Sequence, residues 1–169
     1  MNAVTFDHQI DRPVAVDSFR RPRVLVVEDD IFVLSFLKDS FMDDGYEVVD
    51  ACNLEEALAS LDENIFDFIS TDWNLKNNHD GEGRRVVERA FQQNPNAVVA
   101  ILTGTPFQID VKVDFPDLSE SQRQTLQVFA KPINQTHEIE RFFSQGVARP
   151  DPRITVAASS NISPAKGPP

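Results

Sequence analysis

The chain has 169 residues, enough for one domain with terminal extensions, and 41% of them are hydrophobic, which favours a folded core over global disorder. Its formal net charge of −11 argues against a nucleic-acid-binding surface, because such a surface would repel phosphates. The single cysteine, Cys52, cannot form an internal disulfide, and its apolar sequence context predicts a small core residue.

The beginning of the chain lacks the apolar stretch of a signal peptide, and no apolar run is long enough to span a bilayer. We therefore expect a cytoplasmic protein that has no membrane partner. The predicted organisation is a flexible arm over residues 1–22, a folded domain over residues 23–147, and a disordered, proline- and serine-rich tail over residues 148–169.

Short apolar runs alternate with amphipathic segments along the folded part. Strands are predicted at 23–27, 46–51, 66–71, 97–102 and 127–130, and residues 107–115 alternate like a further strand. Helices are predicted at 31–42, 54–61, 84–93, 118–126 and 134–143, with N-caps at Asp30, Asn53, Asp117 and Asn134 and terminal glycines at Gly45 and Gly146. In the first helix, Phe32, Phe36 and Phe41 are predicted to lie mostly in the core.

The alternation of strands and helices predicts an α/β fold with a parallel sheet covered on both faces. Right-handed crossovers favour the flavodoxin-like, doubly wound strand order 2-1-3-4-5. The fourth helix region is expected to be irregular, because Pro106 and Pro116 interrupt it.

Polar residues follow these strands at the edge where their carboxyl ends meet. They are Glu28 and Asp29 after the first strand, Asp72 after the third, Thr103 after the fourth and Lys131 after the fifth. Two carboxylates about 4 Å apart repel by roughly 4 kcal/mol at an effective dielectric near 20, so one lysine cannot offset three of them. Oxygen ligands alone indicate Mg²⁺, and such a site suits phosphoryl transfer with Asp72 as the nucleophile.

The sequences around these residues resemble the receiver domain of two-component response regulators over residues 23–146. The matching segments are Val24–Asp30, Asp72–Leu75, Asp80–Gly81, Leu102–Gly104 and Lys131–Ile133. The resemblance implies that Asp72 accepts the phosphoryl group and that Glu28, Asp29, Asp72 and the main-chain carbonyl of Asn74 hold Mg²⁺. It also implies that Thr103 and Lys131 contact the acyl phosphate, and that the peptide before Pro132 is cis.

The resemblance further implies a partner that donates the phosphoryl group, either a histidine kinase or a histidine phosphotransfer protein, which docks on the exposed side of the first helix. Because no recognisable output domain follows, we expect a stand-alone receiver that signals to a downstream protein through protein–protein contacts. We do not expect an enzyme, since the chemistry is limited to phosphorylation and dephosphorylation of the protein itself.

Three departures from the family pattern leave alternatives open. The fourth helix region is irregular, Val128 occupies a position where an aromatic switch residue is usual, and the loop after Asp72 lacks its usual proline. One alternative is therefore a receiver-like binding module that works independently of phosphorylation. A phosphatase with an aspartyl intermediate is disfavoured, because such enzymes carry a second acid where this chain has Asn74. Trp73 is interpreted either as surface packing or as a partner contact.

Overall fold

The computed structural model describes residues 20–75, 81–132 and 137–146, which build a parallel sheet between two layers of helices. The strands are β1 (Arg23–Val27), β2 (Glu47–Ala51), β3 (Phe68–Asp72), β4 (Val98–Thr103) and β5 (Leu126–Ala130). The helices are α1 (Ile31–Asp43), α2 (Leu54–Glu63), α3 (Gly83–Gln93), α4 (Val111–Asp114), α5 (Glu120–Gln124) and α6 (His137–Gly146). The strand order β2-β1-β3-β4-β5 confirms the predicted flavodoxin-like fold.

Both faces of the central strands are buried. Burial on both faces explains why β1 and β4 are mostly apolar, whereas β3 ends in Ser70, Thr71 and Asp72. Alternate side chains of β1 point to opposite faces, so that Leu25 joins the core under α2 and α3 while Val26 joins the core under α1 and α6. The second core contains a cluster of aromatic rings, formed by Phe41, Tyr46, Phe68 and Phe143. None of the described helices combines the length and the apolar composition that crossing a membrane requires.

Two predicted N-caps fix the helices that start next to the strand ends. The Asp30 carboxylate accepts hydrogen bonds from the first turn of α1, at 2.9 Å from the Phe32 nitrogen, and Asn53 caps α2 in the same way. Gly45 follows α1 with φ +86°, as expected of a terminal glycine, and α6 ends at Gly146. The predicted cap Asn134 lies outside the described residues.

The chain between β4 and β5 corrects two predictions. Residues 107–115 do not form a strand but a 3₁₀ turn, Pro106–Gln108, followed by the short helix α4. The next helix does not begin at residue 118 under an Asp117 cap, because Ser119 forms a capping box with Gln122. Local hydrogen bonds, which backbone N–H groups donate to the side chains of Asp110 and Ser119, therefore override the alternating pattern.

Two predictions of burial are also wrong. In α1 the buried stripe is Leu34, Leu37 and Phe41, whereas Phe32 is 83% exposed and Phe36 is 50% exposed. The two phenylalanines are four residues apart and share the opposite side of the helix. Cys52 is exposed, because it follows the last residue of β2 at the edge of the sheet. The remaining elements lie within about three residues of their predicted positions.

Two neighbouring hydroxyls in β3 allow a matched test of core packing. Ser70 Oγ is buried and has no hydrogen-bond partner in the described part of the chain, whereas Thr71 Oγ1 donates to the Asp72 carbonyl at 3.0 Å. We expect Ser70→Ala to raise the free energy of unfolding by about 1 kcal/mol, because it removes an unpaired buried hydroxyl. Thr71→Val should lower it by about 1 kcal/mol. Chemical denaturation checks both, and a destabilising Ser70→Ala would contradict the assignment.

Candidate functional site

The sheet order brings the ends of four strands side by side. In the parallel registers, Val27 lies opposite Thr71, Asp72 opposite Leu102, and Thr103 opposite Ala130. The residues that end or follow these strands therefore share one edge of the sheet. This edge holds every site residue predicted from the sequence, namely Glu28, Asp29, Asp72, Asn74, Thr103 and Lys131.

Three of these residues form an acidic cluster. One carboxylate oxygen from each of Glu28, Asp29 and Asp72 lies within 4.8 Å of the other two. Glu28 is 1% exposed and Asp72 is 7% exposed, so water screens the mutual repulsion of these two acids poorly. The structure thus brings together the three carboxylates that the sequence placed on separate strands.

Lys131 contacts two of the three acids. Its Nζ lies 2.9 Å from Glu28 Oε1, 2.7 Å from Glu28 Oε2 and 3.0 Å from Asp72 Oδ2. The backbone N–H of Lys131 also donates to the Thr103 carbonyl at 2.8 Å, which holds the end of β5 against β4. One ammonium therefore bridges carboxylates that follow β1 and end β3.

The electrostatics of the cluster remain unbalanced. Burial raises the pKa of Glu28 and the pKa of Asp72, and their contacts with Lys131 only partly oppose this. Burial alone would lower the pKa of Lys131, but its hydrogen bond to Glu28 and the negative charges of both acids raise it. The ammonium is therefore charged at neutral pH, and in the described part of the chain it is one positive charge in contact with two carboxylates, Glu28 and Asp72. Such a donor set, made of oxygens with surplus negative charge, fits a hard divalent cation.

Thr103 and Asn74 lie at the same edge, and neither side chain forms a hydrogen bond to Lys131. Thr103 is 1% exposed, and its Oγ1 accepts the N–H of Thr105 at 3.2 Å, which shapes the turn after β4. The backbone N–H of Asn74 donates to Asp72 Oδ1 over a long 3.4 Å. Asn74 Oδ1 is buried and makes no hydrogen bond within the described residues.

Trp73 packs within the domain, which is one of the two interpretations, surface packing or a partner contact, that the sequence left open. Its ring lies edge-to-face against Phe115, with the ring centroids 6.0 Å apart. Gly81 has φ +64°, and a Cβ there would come within 3.0 Å of the Trp73 ring. Asp80, the other residue of that matching segment, lies outside the described residues.

Gly83 is a positioning residue that the sequence reasoning missed. A Cβ at Gly83 would lie 2.2 Å from the Asp72 carbonyl oxygen, and its N–H donates to the Trp73 carbonyl at 3.0 Å. The first turn of α3 therefore rests directly on the backbone of Asp72. The signal in the sequence was a glycine at a helix start, where residues with better helix propensity are usual.

An exposed apolar surface borders the site. A cavity of about 540 Å³ is lined by four apolar residues, Phe32, Val33, Phe36 and Pro132, together with Lys131. We call these four residues the α1 surface. The Lys131–Pro132 peptide is cis, as the resemblance implies. Such a contiguous apolar patch beside a polar site is typical of a protein-binding surface.

Comparison with known proteins identifies the family. A family model described as the response regulator receiver domain matches residues 24–118. The chain belongs to this family. The matched part of the receiver contains Glu28, Asp29, Asp72 and Thr103, and Lys131 lies beyond its end. No curated protein matches the chain by sequence.

Solved receiver structures share the fold at low sequence identity. A response regulator receiver domain protein from Clostridium thermocellum is 21% identical, with 76% of this chain and 95% of that chain covered, at a TM-score of 0.61. The receiver domain of the Francisella response regulator 1452 is 25% identical over 75% and 100% of the two chains, at 0.57. Thermotoga maritima TrrA, solved in complex with Mg²⁺–BeF, is 21% identical over 75% and 99%, at 0.55.

The raised pKa of Asp72 predicts how stability responds to pH in the absence of divalent cations. An acid whose pKa is raised by folding lowers stability progressively as pH rises above its unfolded value of 3.8, and the loss is complete once pH exceeds the raised pKa of the folded state. We expect Asp72→Asn in EDTA to be more stable than the wild type at pH 7, by about 1 kcal/mol. The difference should shrink as pH falls toward 4.

Thermal and chemical unfolding across this pH range measure the difference. Asp39→Asn is the matched control, since Asp39 is exposed on α1 and its loss should change stability by no more than about 0.5 kcal/mol. An Asp72→Asn variant that is less stable than the wild type at pH 7 would show that the cluster is electrostatically balanced without a cation.

Proposed function

We propose that this receiver accepts a phosphoryl group on Asp72 from a phosphohistidine donor, with Mg²⁺, and signals through protein–protein contacts. The observation that carries the proposal is the contact of Lys131 Nζ with both Glu28 and Asp72 within 3.0 Å, next to a third carboxylate. A lysine bridging a strand-end aspartate and a second acid suits a site that carries and stabilises extra negative charge.

The residues have separate roles in this transfer. A carboxylate oxygen of Asp72 forms the new O–P bond while the P–N bond of the phosphohistidine breaks, and the leaving imidazole takes a proton from solvent. The Lys131 ammonium balances negative charge on the phosphoryl oxygens. The Thr103 hydroxyl, at the end of the neighbouring strand, donates a hydrogen bond to one of these oxygens.

The residues fit Mg²⁺ better than other cations, because the cluster offers oxygen ligands alone and Mg²⁺ uses one or two carboxylates and several waters. Asp29, Asp72 and the Asn74 carbonyl would hold the ion. Both oxygens of Glu28 contact Lys131, so Glu28 would act mainly through that lysine. When bound, the ion shields the charge of the incoming phosphoryl group.

The α1 surface supports docking of a histidine kinase or a histidine phosphotransfer protein. The two exposed phenylalanines, Phe32 and Phe36, stand beside Lys131 and Pro132, so a partner seated on them would present its histidine next to Asp72. Large exposed aromatic side chains supply most of the binding energy in many protein interfaces.

Only the phosphorylation state of the protein changes in this scheme, so we propose that the chain turns over no external substrate as an enzyme. Val128 is the residue that favours the alternative, a binding module independent of phosphorylation. It is a half-buried aliphatic side chain paired with Ile101, and it has no ring to change position beside Thr103. In that alternative, Asp72→Asn would leave partner binding and cellular output unchanged.

Phosphorylation by a small donor tests the acceptor directly. We expect acetyl phosphate with Mg²⁺ to give one retarded species on Phos-tag gels, because Asp72 belongs to the acidic cluster and contacts Lys131. Asp72→Asn should abolish this species, and the exposed control Asp39→Asn should keep it. No retarded wild-type species, where another receiver shifts under the same conditions, would count against the proposal.

Mg²⁺ should bind without phosphorylation and stabilise the fold. At a free concentration of about 100 times Kd, a single site stabilises by roughly 2.7 kcal/mol. We expect Mg²⁺ to raise Tm and to change the fluorescence of Trp73, the residue next to Asp72. Asp29→Asn should weaken both responses at least tenfold in Mg²⁺ concentration, and Asp39→Asn should leave them as in the wild type. Equal responses in both variants would rule out Asp29 as a ligand.

A further inference from the structure

The solvent side of α1 continues beyond the α1 surface toward the far end of the helix. Phe32 and Phe36 are followed by Asp39 and Asp43, and all four side chains are exposed. At 3.6 residues per turn, these four positions lie within about 60° of one another around the helix. They therefore form one stripe, which is apolar at the end next to the acidic cluster and acidic at the other end. We call these four residues the α1 stripe.

The two acids of the stripe lie toward the unfavourable end of their helix. Asp43 is the last residue of α1, Asp44 caps the helix, and the last turn contains no basic residue. The carboxyl end of a helix carries a partial negative charge, so acids placed there reduce its stability. A cation brought to this end would be attracted by the carboxylates and by the helix dipole together.

No cation from the described part of the chain pairs with these acids. Lys38 is the one basic residue of α1, and its ammonium lies 2.7 Å from Asp50 of β2. Arg141 of α6 lines a separate cleft, together with Asp44. The carboxylates of Asp39 and Asp43 form no ion pair within the described residues, so both face solvent with their full charge.

Charge restricts what can cover the stripe. The chain has a net charge of −11, so a second copy of it, like an anionic lipid surface, would bring negative charge against Asp39 and Asp43. A protein helix with aliphatic residues at one end and basic residues at the other complements the whole stripe. The apolar end adjoins Lys131 and Pro132, so a protein seated there lies next to Asp72.

We infer that the phosphohistidine donor docks through a helix that is aliphatic near its histidine and basic further along, and that Asp39 and Asp43 select this donor. The inference rests on the proposed function and adds the charge of the partner. Along α1, Asp39 and Asp43 lie about 10 Å and about 16 Å from Phe32. On a helix packed roughly along α1, the lysines or arginines therefore lie about seven and eleven positions from the residue that covers Phe32.

Phosphotransfer to the full chain tests this selection. The probes are the histidine kinases and histidine phosphotransfer proteins encoded by the source organism, each loaded with radiolabelled phosphate, and the fastest is kept as the donor. We expect Asp39→Lys with Asp43→Lys to lower the second-order rate constant of transfer about tenfold or more, because the docking charges then repel. Acetyl phosphate, which has no docking helix, provides the reference rate for each variant.

Salt and a compensating donor variant separate docking charges from other effects. The wild-type rate should fall between about 50 and about 500 mM salt, since exposed charges are screened, and the difference between wild type and double variant should shrink. A donor whose basic residues at the two positions are changed to glutamate should prefer the double variant over the wild type.

A second double variant, Asp117→Lys with Glu120→Lys, is the matched control. It changes the net charge by the same amount at exposed acids near α5, and transfer should remain as in the wild type. Equal losses in the two double variants, a wild-type rate that does not respond to salt, or no transfer from any of the protein donors would each overturn the inference. If acetyl phosphate also failed to phosphorylate the wild type, the proposed function would fall with it.

Discussion

The bridge between Lys131 and two buried acids is the interaction on which the site depends. It joins the end of β5 to the ends of β1 and β3, with Nζ within 3.0 Å of both Glu28 and Asp72. Loss of Lys131 would leave both carboxylates uncompensated, and breaking a buried pair in this way typically costs about 3–5 kcal/mol. The parallel sheet makes this bridge possible, since its carboxyl ends all meet at one edge.

Within the described residues, one ammonium contacts two buried carboxylates, so this bridge carries more negative than positive charge. Burial raises the pKa values of Glu28 and Asp72 even though Lys131 contacts both. The negative charge of the two acids is therefore only partly compensated, and a bound cation would compensate it further. Without a bound ion, a site with excess negative charge lowers the free energy of unfolding relative to a neutral site. Binding of a cation removes this repulsion and stabilises the folded state. Strain of this electrostatic kind is typical of functional sites.

The sequence predicted the sheet and the residues of the cluster because both depend on simple, repeated patterns. Apolar runs identified β1, β3 and β4, and the polar residues at their ends, acids at β1 and β3 and Thr103 at β4, marked the edge. The segment after Thr103 was mispredicted, because aspartate and serine caps act locally and leave the alternating pattern intact. The exposure of Phe32 and the close approach of Gly83 to Asp72 depend on tertiary packing, which composition does not encode.

The amide spectrum of the protein with Mg²⁺ and beryllofluoride, a mimic of the phosphoryl group, tests the central claim most directly. We expect large shifts at Glu28, Asp29, Thr103 and Lys131 only when both components are present, and none of these coupled shifts in Asp72→Asn. An unchanged wild-type spectrum, or the same shifts in Asp72→Asn, would show that these strand ends do not form a phosphoryl-accepting site.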